Sequence, residues 1–151
     1  MTRTETALRA LKAALTSQSV LGAIRRNVAL DELLEDVGAA AGLSTGLLLE
    51  DGDAIIVNET LGNQDDVFEI QHTARIGWVV AGNDEDDRET RFDDGLAAIA
   101  AALAGDQTLG GTVSSARIAA PPERSTEIAG ARTAKLAVVG VEMTFTAPTP
   151  F

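Results

Sequence analysis

Over residues 67–82 the chain alternates apolar and polar side chains for longer than any other stretch, and only an extended strand satisfies that pattern. Phe68, Ile70, His72, Ala74, Ile76, Trp78 and Val80 fall on one side, with Glu69, Gln71, Thr73 and Arg75 on the other. Successive side chains of a strand point to opposite faces, so this predicts a long strand with one buried and one wet face. The same argument predicts a second strand over 134–146. There Ala137, Val139, Val141, Met143 and Phe145 oppose Glu142, Thr144 and Thr146.

The segments between and before these strands read as helices and turns. Leu8, Leu11 and Leu15 form one apolar stripe on a helix over about 5–16, and Thr2 and Glu5 have capping-box spacing at its start. Phe92, Leu96, Ile99 and Leu103 make a buried stripe on a helix over about 86–104, stopped at Gly105. Gly95 sits inside that helix at a cost of about 1 kcal/mol relative to alanine, which points to a close approach there. Residues 17–27 read as a connection, and 28–41 either as a short helix capped by Asp31 or as an ordered loop. Leu47 to Glu50, Asp51-Gly52 and Asp53 to Val57 read as a hairpin with a tight turn. A short strand near 112–119 ends at Pro121-Pro122, a pattern of a sheet edge, and 123–133 reads as an excursion.

These elements predict an α+β fold. It is a single small domain over 1–151 with a mixed, mostly antiparallel sheet of four to five strands flanked by two main helices. Hydrophobic residues make up 45% of the chain but aromatic ones only 3%, so the core is aliphatic and alanine-rich. Such a core buries less area per residue, and contacts between copies would help it.

Composition also limits the chemistry. The chain has no cysteine, no tyrosine and one histidine, which excludes disulfides, thiol catalysis and cysteine metal sites. Twelve basic residues face 23 acidic ones, giving a formal net charge of −11. That balance disfavours gripping nucleic-acid phosphates or anionic membranes. No run approaches the ~18–20 apolar residues of a membrane span, and the N-terminus lacks the apolar run of a secretory signal.

His72 lies in register with Ile70 and Ile76, so it reads as a core histidine and not as a catalytic base. The acidic groups Asp51-Gly52-Asp53 and 83–87 lack the spaced oxygens of a calcium loop. They read as a turn and as carboxylates complementing a helix N-terminus. Asp65-Asp66 and Asp93-Asp94 are adjacent and point in different directions, which suits solvation better than acid–base work. The 105–111 segment has no lysine and follows a helix, so it is not a phosphate loop. Trp78 and Phe92 sit on buried periodicities and read as core. No catalytic, cofactor-binding or metal-binding residue is expected.

The order of helix, hairpin, long strand, acidic-capped helix, Leu-Gly-Gly turn and paired final strands resembles a known family. Its carriers are Leu49-Glu50-Asp51-Gly52-Asp53, His72-Thr73-Ala74-Arg75-Ile76, RETRFDDGLAAIAAALAGDQTLGG over 88–111 and KLAVVGVEMTFT over 135–146. The chain is similar here to the tail-terminator, or tail-completion, proteins of long-tailed bacteriophages and related gene-transfer particles. The likeness spans about 47–146, while 17–45 and 120–132 match poorly. It implies a homo-oligomeric ring, usually of six copies, at the head-proximal end of the tail tube in the virion, assembled in the bacterial cytoplasm. The ring would stop tube polymerisation and offer a face to the head–tail connector or stopper protein. DNA would pass through its lumen without specific binding, and neither a cofactor nor a membrane is involved.

The expected interface residues are Asn58, Glu59, Leu61, Asn63 and Asp65 in a polar connection, Asp84, Glu85 and Asp86 in the acidic stretch, and Phe151 at the Pro-rich end. They rest on exposure and turn character. Three other readings remain open at this point. They are a stopper or baseplate-proximal protein, a small enzyme with a carboxylate base, and a ligand-binding domain with a polar pocket.

Overall fold

A computed structural model describes residues 1–62, 66–130 and 132–150. The chain runs α1 (Arg3–Thr16), a 3-10 turn (Ser19–Leu21), β1 (Ile24–Arg26), α2 (Leu30–Ala39), β2 (Ser44–Thr60), β3 (Val67–Ala81), α3 (Glu85–Gly105), β4 (Ser115–Ile118), β5 (Glu123–Ala129) and β6 (Arg132–Ala147). The strands form one mixed sheet in the order β1-β2-β3-β6-β4, with β5 also pairing β6. Only β1 runs parallel to its neighbour, β2; the other pairs are antiparallel. The α+β class and the mixed, mostly antiparallel sheet are as expected. Among the described residues the sheet has six strands and the chain three α-helices, more than the four to five strands and two main helices read from the sequence.

Both long strands lie where alternation puts them. Ile70, His72, Ala74, Ile76, Trp78 and Val80 of β3 are buried with Ala137, Val139, Val141, Met143 and Phe145 of β6 on one face. Helices α1 and α3 cover that face with Leu8, Leu11, Leu15, Phe92, Ile99 and Leu103. Thr2 caps α1 as its spacing suggests, its hydroxyl accepting from the Glu5 N–H at 3.1 Å. Asp84 caps α3 by accepting from the Asp87 N–H at 3.0 Å. Gly95 of α3 meets Trp78, whose indole also donates to the Phe92 carbonyl at 3.2 Å. The helix does not stop on a left-handed Gly105. It ends at Asp106, whose carboxylate accepts from the Gly110 N–H at 2.6 Å and the Thr108 N–H at 3.2 Å.

The opposite face is buried only at one end. There Leu33 and Val37 of α2 pack on Leu48, Val79, Ala81, Ala134 and Leu136. The 28–41 segment thus carries a helix, Leu30–Ala39, with Ala29 and not Asp31 at the cap position and Asp31 in the first turn. Arg132 pins this end, donating to the Ala81 carbonyl at 2.8 Å and to the carbonyls of Val37 and Ala40. Beyond Gly77 the same face carries Arg75, Thr73, Gln71 and Glu69, which no helix among the described residues covers.

Three sequence expectations change. The hairpin at Asp51-Gly52 is absent: 44–60 is one strand, and Asp51 and Gly52 form a bulge facing β3. Glu50 pairs with Arg75 and Asp53 with Thr73, so the two residues between them oppose Ala74 alone. Gly52 has φ +71, and a Cβ there would lie 1.8 Å from the Thr73 carbonyl oxygen. The positive φ that suits a turn serves a bulge equally well. Residues 24–26, placed in a connection, form β1. Residues 123–129, taken as an excursion, form β5, a hairpin arm on β6.

Candidate assembly interface

The bulge is also the centre of a polar cluster. Arg26 donates from Nη1 and Nη2 to the two Glu5 oxygens at 2.8 and 2.7 Å, and from Nε to Asp51 Oδ1 at 2.8 Å. Asn27 accepts from the Asp51 N–H at 3.1 Å, and Arg9 adds a contact to Glu5 at 2.8 Å. One fork of donors therefore ties α1, β1 and the bulge together. Hydrogen bonds from Arg26 and then Arg9 hold the Glu5 carboxyl down at about 2, and the Arg26 bond holds Asp51 below its ordinary value. Arg26 is itself pushed up by its two carboxylate partners.

His72 lies beneath this cluster, 4% exposed. Its Nε2 donates to the Asp51 carbonyl, which fixes the bulge from the buried side. A carbonyl only accepts, so Nε2 carries a proton. Nδ1 has no hydrogen-bond partner among the described residues. The reading of His72 as a core residue stands, with one of its two nitrogens paired. A cleft of about 460 Å³ runs past Thr4, Glu5, Asp53, His72 and Pro150. Much of its polar lining is already committed, Glu5 to Arg26 and His72 to the backbone. Among the described residues no three His, Asp or Glu side chains stand together as a metal would require.

Past the bulge, β2 has no strand on its outer side among the described residues. β1 pairs only with Leu47, Leu48 and Leu49, while every residue of 53–60 is exposed. This stretch carries Ile55, 60% exposed, together with Ile56 and Val57. Leu61, 70% exposed, and Val67 extend the apolar group. Covering each of these side chains would contribute about 1–2 kcal/mol. A long apolar strand edge with open backbone groups is a pairing surface unless something covers it. The other side of the sheet ends in β4 and β5; on β4, Ile118 and Arg117 are exposed, while the Ala116 N–H donates to the Gln107 carbonyl at 2.7 Å. Arg117 donates to Glu142 at 2.9 and 3.2 Å, which lowers the Glu142 carboxyl.

The residues expected at an interface divide between two places. Asn58 and Glu59 are exposed but belong to strand β2 instead of a polar connection, and Leu61 follows its end. Asp84, Glu85 and Asp86 are exposed at the start of α3. Asn63, Asp65 and Phe151 lie outside the described residues. The first group sits where β2 ends and β3 begins, the second just after β3 ends, roughly 45 Å away along the strands. The structure does not bring them together. Sequence reasoning missed Ile55, Ile56 and Val57, which a hairpin arm would have half buried, and Arg117. No helix among the described residues is long and apolar enough to cross a membrane. The chain matches no protein-family model and no curated protein.

Proposed function

We propose that this chain is a structural subunit that closes into a ring at the head-proximal end of a phage tail tube. There it ends tube polymerisation and joins the tail to the head connector. One observation carries the reading: the sheet ends in unlike edges on opposite sides, the exposed apolar edge of β2 and the strands β4 and β5 on β6. A molecule with two unlike edges joins head to tail, and head-to-tail contacts close into rings when the rotation per copy allows it. The resemblance over 47–146 supplies the place of that ring.

The charge of −11 per copy fits a bore through which DNA passes without adhering, since its phosphates are repelled. The positions of Glu59 and Asp84 constrain this idea. They lie at opposite ends of the β2–β3 ribbon, so both line one bore only where that ribbon runs along the axis.

The test is particle assembly without this protein. Tubes of uncontrolled length that fail to join heads, and that are rescued by added wild-type chain, support the reading. Tails of normal length that join heads normally would sink it. So would turnover of a metabolite by purified chain, abolished by one carboxylate substitution that leaves the fold intact.

A further inference from the structure

The β6 side of the sheet ends in two strands with different outer sides. That of β4 is taken at its centre, where the Ala116 N–H donates to the Gln107 carbonyl. Residues 123–128 of β5 are all exposed, and among the described residues their backbone bonds only to β6. Ile128 there is 83% exposed. On the far side of the sheet, β1 and the Asn27 side chain fill the outer side of β2 as far as Asp51, and the stretch 53–60 follows exposed. The stretches 53–60 and 123–129 match in length.

Their directions and faces match as well. Each step from β2 through β3 and β6 to β5 is antiparallel, so β5 runs opposite to β2. When copies stand side by side by rotation, the β5 edge of one therefore approaches the β2 edge of the next antiparallel. Residues directly opposite one another share a face. Ala54, Ile56 and Glu59 pair with His72, Ile70 and Phe68, which places them on the side that α1 and α3 cover. Arg124 pairs with Ala137 on that same side and stands over the Phe92 ring of α3.

A register must keep these faces together, since a slip of one residue reverses every side chain. With Val57 as the extra residue between Ile56 and Asn58, as it is against β3, one in-phase register sets Ala54 against Ile128, Asn58 against Ser125 and Glu59 against Arg124. A slip of two residues one way sets Asp53 against Glu127. The same slip the other way carries Arg124 past Thr60. Opposite charges therefore select a single register.

We infer that the outer edge of β2 past Gly52 pairs antiparallel with the outer edge of β5 in a second copy of this chain, with Glu59 of one copy beside Arg124 of the other. The sheet then continues from subunit to subunit, and Ile128 covers part of the exposed apolar edge. Ala54 lies in the row of Met143 and Ile128 in that of Thr133, ten residues apart along β6. Neighbouring copies are thus staggered by about 34 Å along the strands, which cross the ring plane obliquely. The inference deepens the ring reading and rests on copies associating.

Two substitutions test it in a single mixing experiment. Glu59→Arg puts arginine on both edges, and Arg124→Glu puts glutamate on both. Each protein alone is expected to associate at least about tenfold more weakly than wild type, because like charges meet at every junction. An equimolar mixture is expected to regain the wild-type mass by light scattering, since alternating copies meet with opposite charges. A second measurement is independent of charge. The chain has no cysteine, so Asn58→Cys with Ser125→Cys introduces the only thiols. Within one copy they stand ten residues apart along β6, about 34 Å, too far for a disulfide. Oxidation is expected to give a ladder of covalent multimers, while either single cysteine variant stays monomeric.

Wild-type rings that survive Glu59→Arg, or an absent ladder, would overturn this pairing and leave the ring reading standing. A covalent dimer of Asn58→Cys alone would mean that two β2 edges meet and would overturn it as well. So would a wild type that stays monomeric, and the tube-length experiment then decides the ring reading separately.

Discussion

Gly95 of α3 presents bare backbone to the Trp78 indole of β3, so closely that a Cβ at Gly95 would fall 2.1 Å from Cε2 of the ring. The most buried aromatic of the sheet therefore sets how near α3 can lie.

Gly95→Ala is accordingly expected to destabilise the fold. Helix propensity alone would favour alanine by about 1 kcal/mol. Pushing the helix off the indole costs about 1–3 kcal/mol more than that gain. Thermal unfolding should show a lower Tm, and the loss should shrink in a Trp78→Leu background, where the ring is absent. A rise in Tm for Gly95→Ala would refute the contact.

Gly52→Ala should cost about 2 kcal/mol or more. Its left-handed conformation strains any L side chain, and the Thr73 carbonyl occupies the Cβ position. Urea unfolding followed by the single tryptophan measures this. An unchanged midpoint would mean that the bulge is not formed by Gly52.

Arg26→Met should make the protein less dependent on its carboxylates, and the pH dependence has a definite sign. The folded-state value of Glu5, about 2, lies below its ordinary 4.5, and Asp51 is lowered as well. Their stabilisation is fully present above about 4.5 and is lost as pH falls toward 2. The Tm difference between wild type and Arg26→Met should therefore be largest near neutrality and narrow on acidification. A gap that stays constant from pH 6 to about pH 2 would show that Arg26 does not act through these two groups.

Ile55→Lys should leave the folded monomer nearly untouched, within about 0.5 kcal/mol, because the side chain already faces water. The same change places a charge on the open edge and should reduce association. Mass by light scattering and Tm by calorimetry separate the two effects. A large fall in Tm would mean that Ile55 packs inside its own subunit.

The sequence is most readable where one element carries two unlike faces. The alternations behind β3 and β6, and the leucine and aromatic stripes of α1 and α3, each identify a buried side without reference to anything distant. Thr2 was readable as a cap because the cap and the N–H that donates to it lie three residues apart; the 83–87 carboxylates were read only as complementing the helix end, and Asp84 proves to be the cap. Asp51-Gly52 was misread because its local chemistry is the same for a turn and a bulge. What decides between them is that β3 pairs with both halves of β2, and that information lies some twenty residues downstream. β5 was invisible because nearly all of ERSTEIA is exposed and shows no apolar alternation. β1 has only three residues. The Arg26 cluster joins residues 21 and 25 positions apart, which no local spacing encodes. At the interface, the exposure of Asn58, Glu59, Asp84, Glu85 and Asp86 was legible, whereas that of Ile55, Ile56 and Val57 depends on β2 continuing past Gly52 along β3.

Because α2 shields only one end of its side of the sheet, the two halves of β2 live in different surroundings. Residues near Leu48 are held between two packed layers, while those past Gly52 rely on pairing with β3 and little else. In deuterated solvent the far half should give up its amide protons first, as a local opening well short of global unfolding. A neighbour that captured this half would slow that exchange, so the strand's two ends carry a built-in internal standard for occupancy.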